Sequence, residues 1–64
     1  MNIKQLEYFV SAAETLNFTK TGEQFFISQT AISLQMKALE DELGTQLFER
    51  KNHRVTITYA GRMF

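Results

Sequence analysis

Apolar residues recur three and four positions apart over most of the chain, the spacing with which an α-helix buries one face. The first such run follows Asn2, an N-cap residue with Gln5 three positions later as a capping-box partner. Its apolar positions keep helical spacing to about residue 16: Ile3, Leu6, Phe9, Val10, Ala13 and Leu16. The pattern predicts a first helix from Ile3 to about Leu16, with Asn17 as its stop.

A second, shorter helix is predicted directly after the first. Thr19 is placed as its N-cap, and the helix runs to about Phe25, with Gly22, Phe25 and Phe26 on one side. The chain contains no proline, and the joint at residues 26–27 is very short. Because two helices joined so tightly must cross at a steep angle, the pattern predicts a helix-turn-helix.

Residues 26–44 contain a third helix, whose two sides differ. Ser28 is suited to be its N-cap and Gly44 to be the left-handed residue that ends it. A buried stripe follows 4-3-4 spacing: Ile32, Met36, Leu39 and Leu43. Away from that stripe lie Thr30, Ser33, Leu34 and Lys37, with Gln29 at the exposed start. A face of short, neutral, hydrogen-bonding side chains with one Lys suits insertion into a DNA major groove.

After Gly44 the spacing of apolar residues changes to the period of two that is typical of β-strands, which indicates a β-hairpin. Leu47 and Phe48 are followed by the polar turn ERKNHR and by the alternating residues 55–58. Thr58 then caps a last helix from Tyr59, whose apolar residues either fold onto the core or meet a second subunit: Tyr59, Ala60, Met63 and Phe64. The predicted fold is mainly α with a small β-hairpin, a winged helix-turn-helix of three helices, a wing and the start of a fourth helix.

Composition narrows the possible function classes. A chain of 64 residues makes one domain, and 44% hydrophobic residues with six Phe argue against disorder. There is no Cys, one His and no Gly-rich phosphate loop, so we expect no enzyme, no metal and no cofactor. The N-terminus has no signal-peptide pattern and no stretch approaches a membrane span, so we expect a cytoplasmic protein without a membrane partner.

The net charge is zero, which alone argues against nucleic acid, but the charges are segregated. Residues 38–49 hold four acids and no base: Glu40, Asp41, Glu42 and Glu49. Residues 50–64 hold four bases and no acid: Arg50, Lys51, Arg54 and Arg62. Since a protein attracts a charged partner through its local electrostatic field, this segregation of charge matters more than the net charge of zero.

The segments ISQTAIS, ALEDELGTQLFER and TYAG carry a resemblance that covers the whole chain. In order and spacing they resemble the N-terminal DNA-binding domain of LysR-type transcriptional regulators. The resemblance implies a winged helix-turn-helix domain over residues 1–58, with the helix-turn-helix at about 18–37 and the wing at about 46–58. It also implies that residues 59–64 begin a linker helix that pairs two subunits on promoter DNA. A small-molecule effector would bind only a C-terminal domain beyond this segment.

The sequence departs from the usual family pattern in three places. Thr21-Gly22 replaces a common Ala-Ala pair, Thr30 stands where Pro is common, and Leu34 stands where Arg is common. A Gly inside a helix costs up to about 1 kcal/mol, although it still permits close packing on the third helix. The departures bear on which DNA sequence is bound more than on binding itself.

The expected DNA-binding residues come from three parts of the chain: Thr19 and Lys20; Ser28, Gln29, Thr30, Ser33, Leu34 and Lys37; Arg50, Lys51, His53 and Arg54. Gln29 can read an adenine edge, and Leu34 can contact a thymine methyl. The basic turn also fits a merely solubilising role, and His53 is most simply an exposed turn residue. The zero net charge and Leu34 leave open an alternative, a winged-helix protein–protein interaction module without DNA binding.

Overall fold

The computed structural model describes residues 1–52 and 54–64 and confirms the predicted fold class. Its elements follow in chain order: α1 (Ile3–Thr15), α2 (Phe18–Phe25), α3 (Gln29–Leu43), β1 (Phe48–Lys51), β2 (Arg54–Ile57) and α4 (Tyr59–Met63). The two strands pair antiparallel in one sheet. His53, which the sequence placed among the DNA-binding residues, lies outside the described residues.

Side-chain caps start the helices at the residues that the sequence indicates, with one exception. Asn2 and Gln5 form the capping box of α1, and the Ser28 hydroxyl accepts from the amide of Ala31 at 3.0 Å. Gly44 ends α3 in the left-handed region with φ 73°. Thr58 caps α4 by accepting from the amide of Gly61 at 3.0 Å.

The exception is α2, whose predicted N-cap Thr19 is wrong. Leu16 ends α1 in the left-handed conformation with φ 51°, so the chain turns one residue earlier than expected. Asn17 is therefore the cap, and its Oδ1 accepts from the amide of Lys20 at 3.1 Å. Both residue types are good N-caps, and the early end of α1 decides between them. Thr19 instead lies in the first turn of α2.

The stripe predicted on α3 forms the centre of the core. Ile32, Met36 and Leu39 are completely buried, and Leu43 packs against them while half-buried. Further buried residues come from the other elements: Phe9, Ala12, Phe18, Leu47 and Phe48. The ring centroids of Phe18 and Phe48 lie 5.5 Å apart in edge-to-face contact, a preferred aromatic geometry.

Phe26, which the sequence placed on one side of the second helix with Gly22 and Phe25 and which we expected to be buried there, is 95% exposed. It ends α2 in the left-handed conformation with φ 60°, so its side chain leaves the face that α2 turns inward. Two further apolar positions predicted on the inner stripe of α1 are also exposed, Ile3 by 75% and Val10 by 55%. Periodicity finds the helices, but a helix in so small a domain buries only part of its apolar face.

The close approach of α2 to α3 depends on Gly22. The amide of Ile27 donates to the carbonyl of Gly22 at 2.9 Å. A Cβ atom at Gly22 would lie only 2.6 Å from the carbonyl oxygen of Ile27. The absence of a side chain at Gly22 thus permits the close packing against the start of α3 that was predicted from the sequence.

The neighbouring departure, Thr21, is completely buried within a hydroxyl cluster. Its Oγ1 lies 3.1 Å from the hydroxyls of both Ser11 and Thr15. Ser11 in turn donates to Oε1 of Gln24 at 2.6 Å. Every polar group of the cluster has a partner, as a buried polar group requires, and the cluster fixes α2 against α1.

The hairpin has longer strands and a shorter turn than ERKNHR predicted. Glu49, Arg50 and Lys51 belong to β1, and Lys51 pairs with Arg54 at the last rung. Asn52 adopts φ 50° in the turn, a conformation that Asn tolerates better than most residues. The basic residues therefore lie on paired strands, which hold them more firmly than an open turn would.

Candidate nucleic-acid interface

The outward face of α3 carries the side chains that the sequence assigned to base contact. Gln29, Thr30 and Lys37 are exposed, and Leu34 is 63% exposed. Ser28 is exposed too, but its hydroxyl already serves as the cap of α3. The helix therefore offers Gln29 and Thr30 in its first turn, where a recognition helix usually enters the groove.

The start of α2 presents backbone donors beside this face. The first amides of an α-helix have no acceptor within the helix and carry its partial positive charge. Asn17 accepts from one of them, that of Lys20, while the side chains of Thr19 and Lys20 are exposed. The amides of Phe18 and Thr19 are thus placed to donate to an anion such as phosphate.

The strand pairing separates the wing residues onto two faces. Arg50 pairs with Val55 on the face toward the core, whereas Lys51 pairs with Arg54 on the outer face. Both outer cations are exposed. Lys51 also forms a 3.4 Å ion pair with Glu49, which, being exposed, holds it only weakly.

Arg50 is also exposed, but its side chain contacts α3 directly. Its Nη1 donates to Oγ of Ser33 at 2.7 Å, and its guanidinium lies 4.8 Å from the centroid of the Phe18 ring. A guanidinium over an aromatic face is attracted by the ring quadrupole. Arg50 therefore links β1, α2 and α3, and it differs from Lys51 and Arg54, which point to solvent.

Residues from all three parts of the predicted site meet on one surface. Thr19 of α2, Gln29 of α3 and Arg54 of β2 line a shared open depression. A second depression brings Lys37 beside Arg50 and Lys51, together with three acids: Glu40, Asp41 and Glu49. The first depression thus combines an exposed side-chain amide, the start of a helix and an exposed guanidinium, groups that can bond to base edges and to phosphates.

Two of the acids near the end of α3 make internal contacts that the sequence did not reveal. Oε2 of Glu40 accepts from the amides of Leu47 and Phe48 at 2.8 and 3.0 Å. Glu42 pairs with the N-terminal amine of Met1. From the sequence, this acidic run is interpreted as the solvated end of a helix. The contacts of Glu40 could not be predicted, because its partners are backbone amides before and at the start of β1, and the pattern of side chains carries no information about them.

Two further features were sought in residues 1–52 and 54–64, a metal site and a membrane-spanning helix. No cluster of three or more His, Asp or Glu there has the arrangement of a metal site. None of the helices in this part of the chain has the length and apolarity to cross a membrane.

Comparison with known proteins places these features in a family. A model described as "Bacterial regulatory helix-turn-helix protein, lysR family" matches residues 3–62. The HTH-type transcriptional regulator YwqM of Bacillus subtilis (strain 168) is 45% identical over 64 residues, which are 100% of this chain and 22% of that protein. The chain thus spans about a fifth of the length of the curated relatives it matches.

Two solved structures are also similar. The CbnR DBD–DNA complex has TM-score 0.93 and 39% identity, covering 100% of this chain and 74% of that chain. The BenM DBD/catB site 1 DNA complex has TM-score 0.92 and 41% identity, covering 100% of this chain and 69% of that chain.

Proposed function

The chain belongs to the lysR family of bacterial regulatory helix-turn-helix proteins, and from this premise we propose that it binds double-stranded promoter DNA with sequence preference. It acts as the DNA-binding domain of a transcription regulator. The observation that carries the proposal is the shared depression of Thr19, Gln29 and Arg54. These three residues come from separate elements and supply the contacts that a major groove and its flanking phosphates need.

In this proposal α3 enters the major groove and its first turn reads bases. The Gln29 amide donates and accepts at once, as an adenine edge requires. Thr30 offers a methyl or a hydroxyl, and Leu34 offers apolar contact to a thymine methyl. Ser28 lies at the phosphate-facing start of the helix, and Lys37 reaches the backbone at its far end.

The remaining contacts position the domain on the duplex. The phosphates of one DNA strand are bound at the start of α2, by Thr19, Lys20 and the first amides of the helix. Lys51 and Arg54 on the outer face of the wing bind phosphates or enter a narrow minor groove, where Arg is favoured. We assign no catalytic residue, cofactor or metal.

We further propose that residues 1–58 form this domain and that residues 59–64 begin a linker helix joining two subunits. Tyr59 and Met63 on α4 are each 72% exposed, which leaves apolar surface for a partner helix. In the longer regulator a C-terminal domain would bind the small-molecule effector, and the protein would act on the chromosome in the bacterial cytoplasm.

The salt dependence of DNA binding tests the proposed function. Each neutralised phosphate releases about one counterion, so affinity should fall steeply and linearly on a logarithmic salt axis. Fluorescence anisotropy with duplexes selected from a random pool measures the slope. A flat salt response, or no enrichment of any duplex over the starting pool, would contradict sequence-specific DNA binding.

The protein–protein alternative rests on the zero net charge and Leu34, and neither the geometry nor the comparisons favour it. The same anisotropy series separates the two functions. A module without DNA binding would show no duplex affinity even at low salt, where phosphate contacts are strongest.

A further inference from the structure

The outer face of the wing carries one acidic side chain among its cations. Residues 48–57 contain one acid, Glu49, and three Arg or Lys residues. The strand register places Glu49 opposite Thr56 and, two residues along, Lys51 opposite Arg54. Since side chains two positions apart in a strand point to the same face of the sheet, all four side chains share the outer face. The same four residues line one open depression.

This arrangement gives Glu49 two cationic neighbours. Its Oε1 lies 3.4 Å from Nζ of Lys51, and Arg54 is its diagonal neighbour across the two strands. Both members of the ion pair are more than half exposed, so the pair itself is weak. The strand positions are fixed by backbone pairing, however. The charge of Glu49 therefore stays close to both cations whether or not the ion pair is formed.

A DNA phosphate and the Glu49 carboxylate suit the same place on this face. Lys51 and Arg54 lie directly opposite each other, and like charges in that arrangement repel. Glu49 offsets this repulsion in the free protein. A phosphate would offset it equally, because both anions accept charge-assisted hydrogen bonds from Lys and Arg. The carboxylate thus competes with DNA for the two cations, and its own charge repels the phosphates.

We propose that Glu49 is an internal counter-ion of the wing, which DNA phosphates displace, and that it lowers the affinity of the domain for every duplex alike. This inference rests on the proposed DNA-binding function, with Lys51 and Arg54 at the phosphates. Phosphates are the same for every sequence, so the carboxylate changes the strength of binding and not the base preference. A domain that binds phosphates less strongly depends more on base contacts such as that proposed for Gln29.

Glu49→Gln tests the proposal, because it removes the charge and nearly keeps the shape of the side chain. The 64-residue chain is titrated by fluorescence anisotropy against a duplex selected from a random pool and against a scrambled duplex. Unit charges about 7 Å apart in water, the spacing of strand neighbours on one face, change affinity roughly threefold for each phosphate. We therefore expect Glu49→Gln to bind both duplexes roughly threefold to tenfold more tightly, with a salt slope steeper by about one.

Three further chains control for net charge, side-chain shape and the cation involved. Glu14→Gln makes the same change in net charge at an exposed residue of α1, outside the proposed interface, and should bind nearly as the unaltered chain does. Glu49→Asp keeps the charge and should also bind nearly as the unaltered chain does. In a Lys51→Met background Glu49→Gln should gain less affinity, since one of the two cations that it releases is missing. Circular dichroism verifies that all variants are folded.

Equal affinity of Glu49→Gln and the unaltered chain would overturn the proposal. So would a gain confined to one duplex, as expected if the carboxylate accepted from a base such as cytosine. An equal gain in Glu14→Gln would show an effect of net charge alone, and an undiminished gain beside Lys51→Met would show that no cation is released; either would also overturn it. Absence of duplex affinity in the unaltered chain and in Glu49→Gln alike would instead overturn the proposed function.

Discussion

Gln29 and Arg54 line the same depression, but their side chains suit different kinds of DNA contact. A primary amide has a donor and an acceptor in fixed geometry and can match one base edge. A guanidinium on an exposed strand meets the phosphates, which are the same for every sequence. The roles of residues that line one depression can therefore be distinguished by substitution. Loss of a base-contacting residue changes the preference for DNA sequence, whereas loss of a phosphate-contacting residue lowers only the affinity.

Replacing each of these residues with Ala should produce opposite signatures. Gln29→Ala should cost about 1–3 kcal/mol at the selected duplex and relax preference at one base position. If Arg54 contacts phosphates and not a narrow minor groove, Arg54→Ala should weaken all duplexes similarly and lower the salt slope by about one. Anisotropy titrations on selected and scrambled duplexes at several salt concentrations measure both effects. If Gln29→Ala lowered the slope and Arg54→Ala relaxed preference, the two roles would be reversed.

The exposure of Gln29, Thr30 and Lys37 could be predicted because helical period alone places them away from the buried stripe. The contact of Arg50 with Ser33 could not. It joins residues 17 positions apart and depends on the hairpin register. Thr19 shows a different limit: Asn17 and Thr19 are both good caps, and the choice rests on the left-handed turn at Leu16. Local pattern ranks such candidates but does not decide between them.

At the scale of elements, the wing is held to α3 at two points. Arg50 donates to Ser33 near the tip of the hairpin, and Glu40 accepts two amides at the base of β1. The Glu40 bonds satisfy backbone donors of Leu47 and Phe48, both of which are buried. These bonds tie the wing to α3, so we expect the proposed DNA contacts on the two elements to lose less conformational freedom on binding.

Glu40→Ala should destabilise the domain by about 1–3 kcal/mol, because it leaves two amides of a buried segment without their acceptor. Glu40→Gln keeps an acceptor oxygen and should lose less. Asp41→Ala is the neighbouring control, since Asp41 is exposed, and it should change stability by less than about 0.5 kcal/mol. Urea denaturation followed by circular dichroism measures all three. Equal stability of the Glu40→Ala and Asp41→Ala chains would show that the wing does not depend on this carboxylate.

At the scale of the whole molecule, the helix that we propose to face the DNA also forms the centre of the core. Three of the completely buried side chains lie on α3: Ile32, Met36 and Leu39. A domain of this size buries a modest share of its surface, so its stability is marginal. The hydrophobic pattern could predict this stripe because period and burial agree there. It could not predict the exposure of Val10, since few elements are present to cover it. Nor could it predict that of Phe26, whose left-handed backbone turns the side chain away from the inner face of α2.

Leu39→Ala should remove about 2–5 kcal/mol from the free energy of unfolding, because a completely buried side chain leaves a cavity that a small core cannot refill. Leu34→Ala on the same helix is the matched control: Leu34 is 63% exposed, so its loss should change stability by less than about 0.5 kcal/mol. Urea midpoints compare the two. Leu39→Ala should weaken DNA binding only in proportion to the unfolded fraction, whereas Leu34→Ala should alter binding with folding intact. An unchanged midpoint for Leu39→Ala would mean that the stripe on α3 does not hold the domain together.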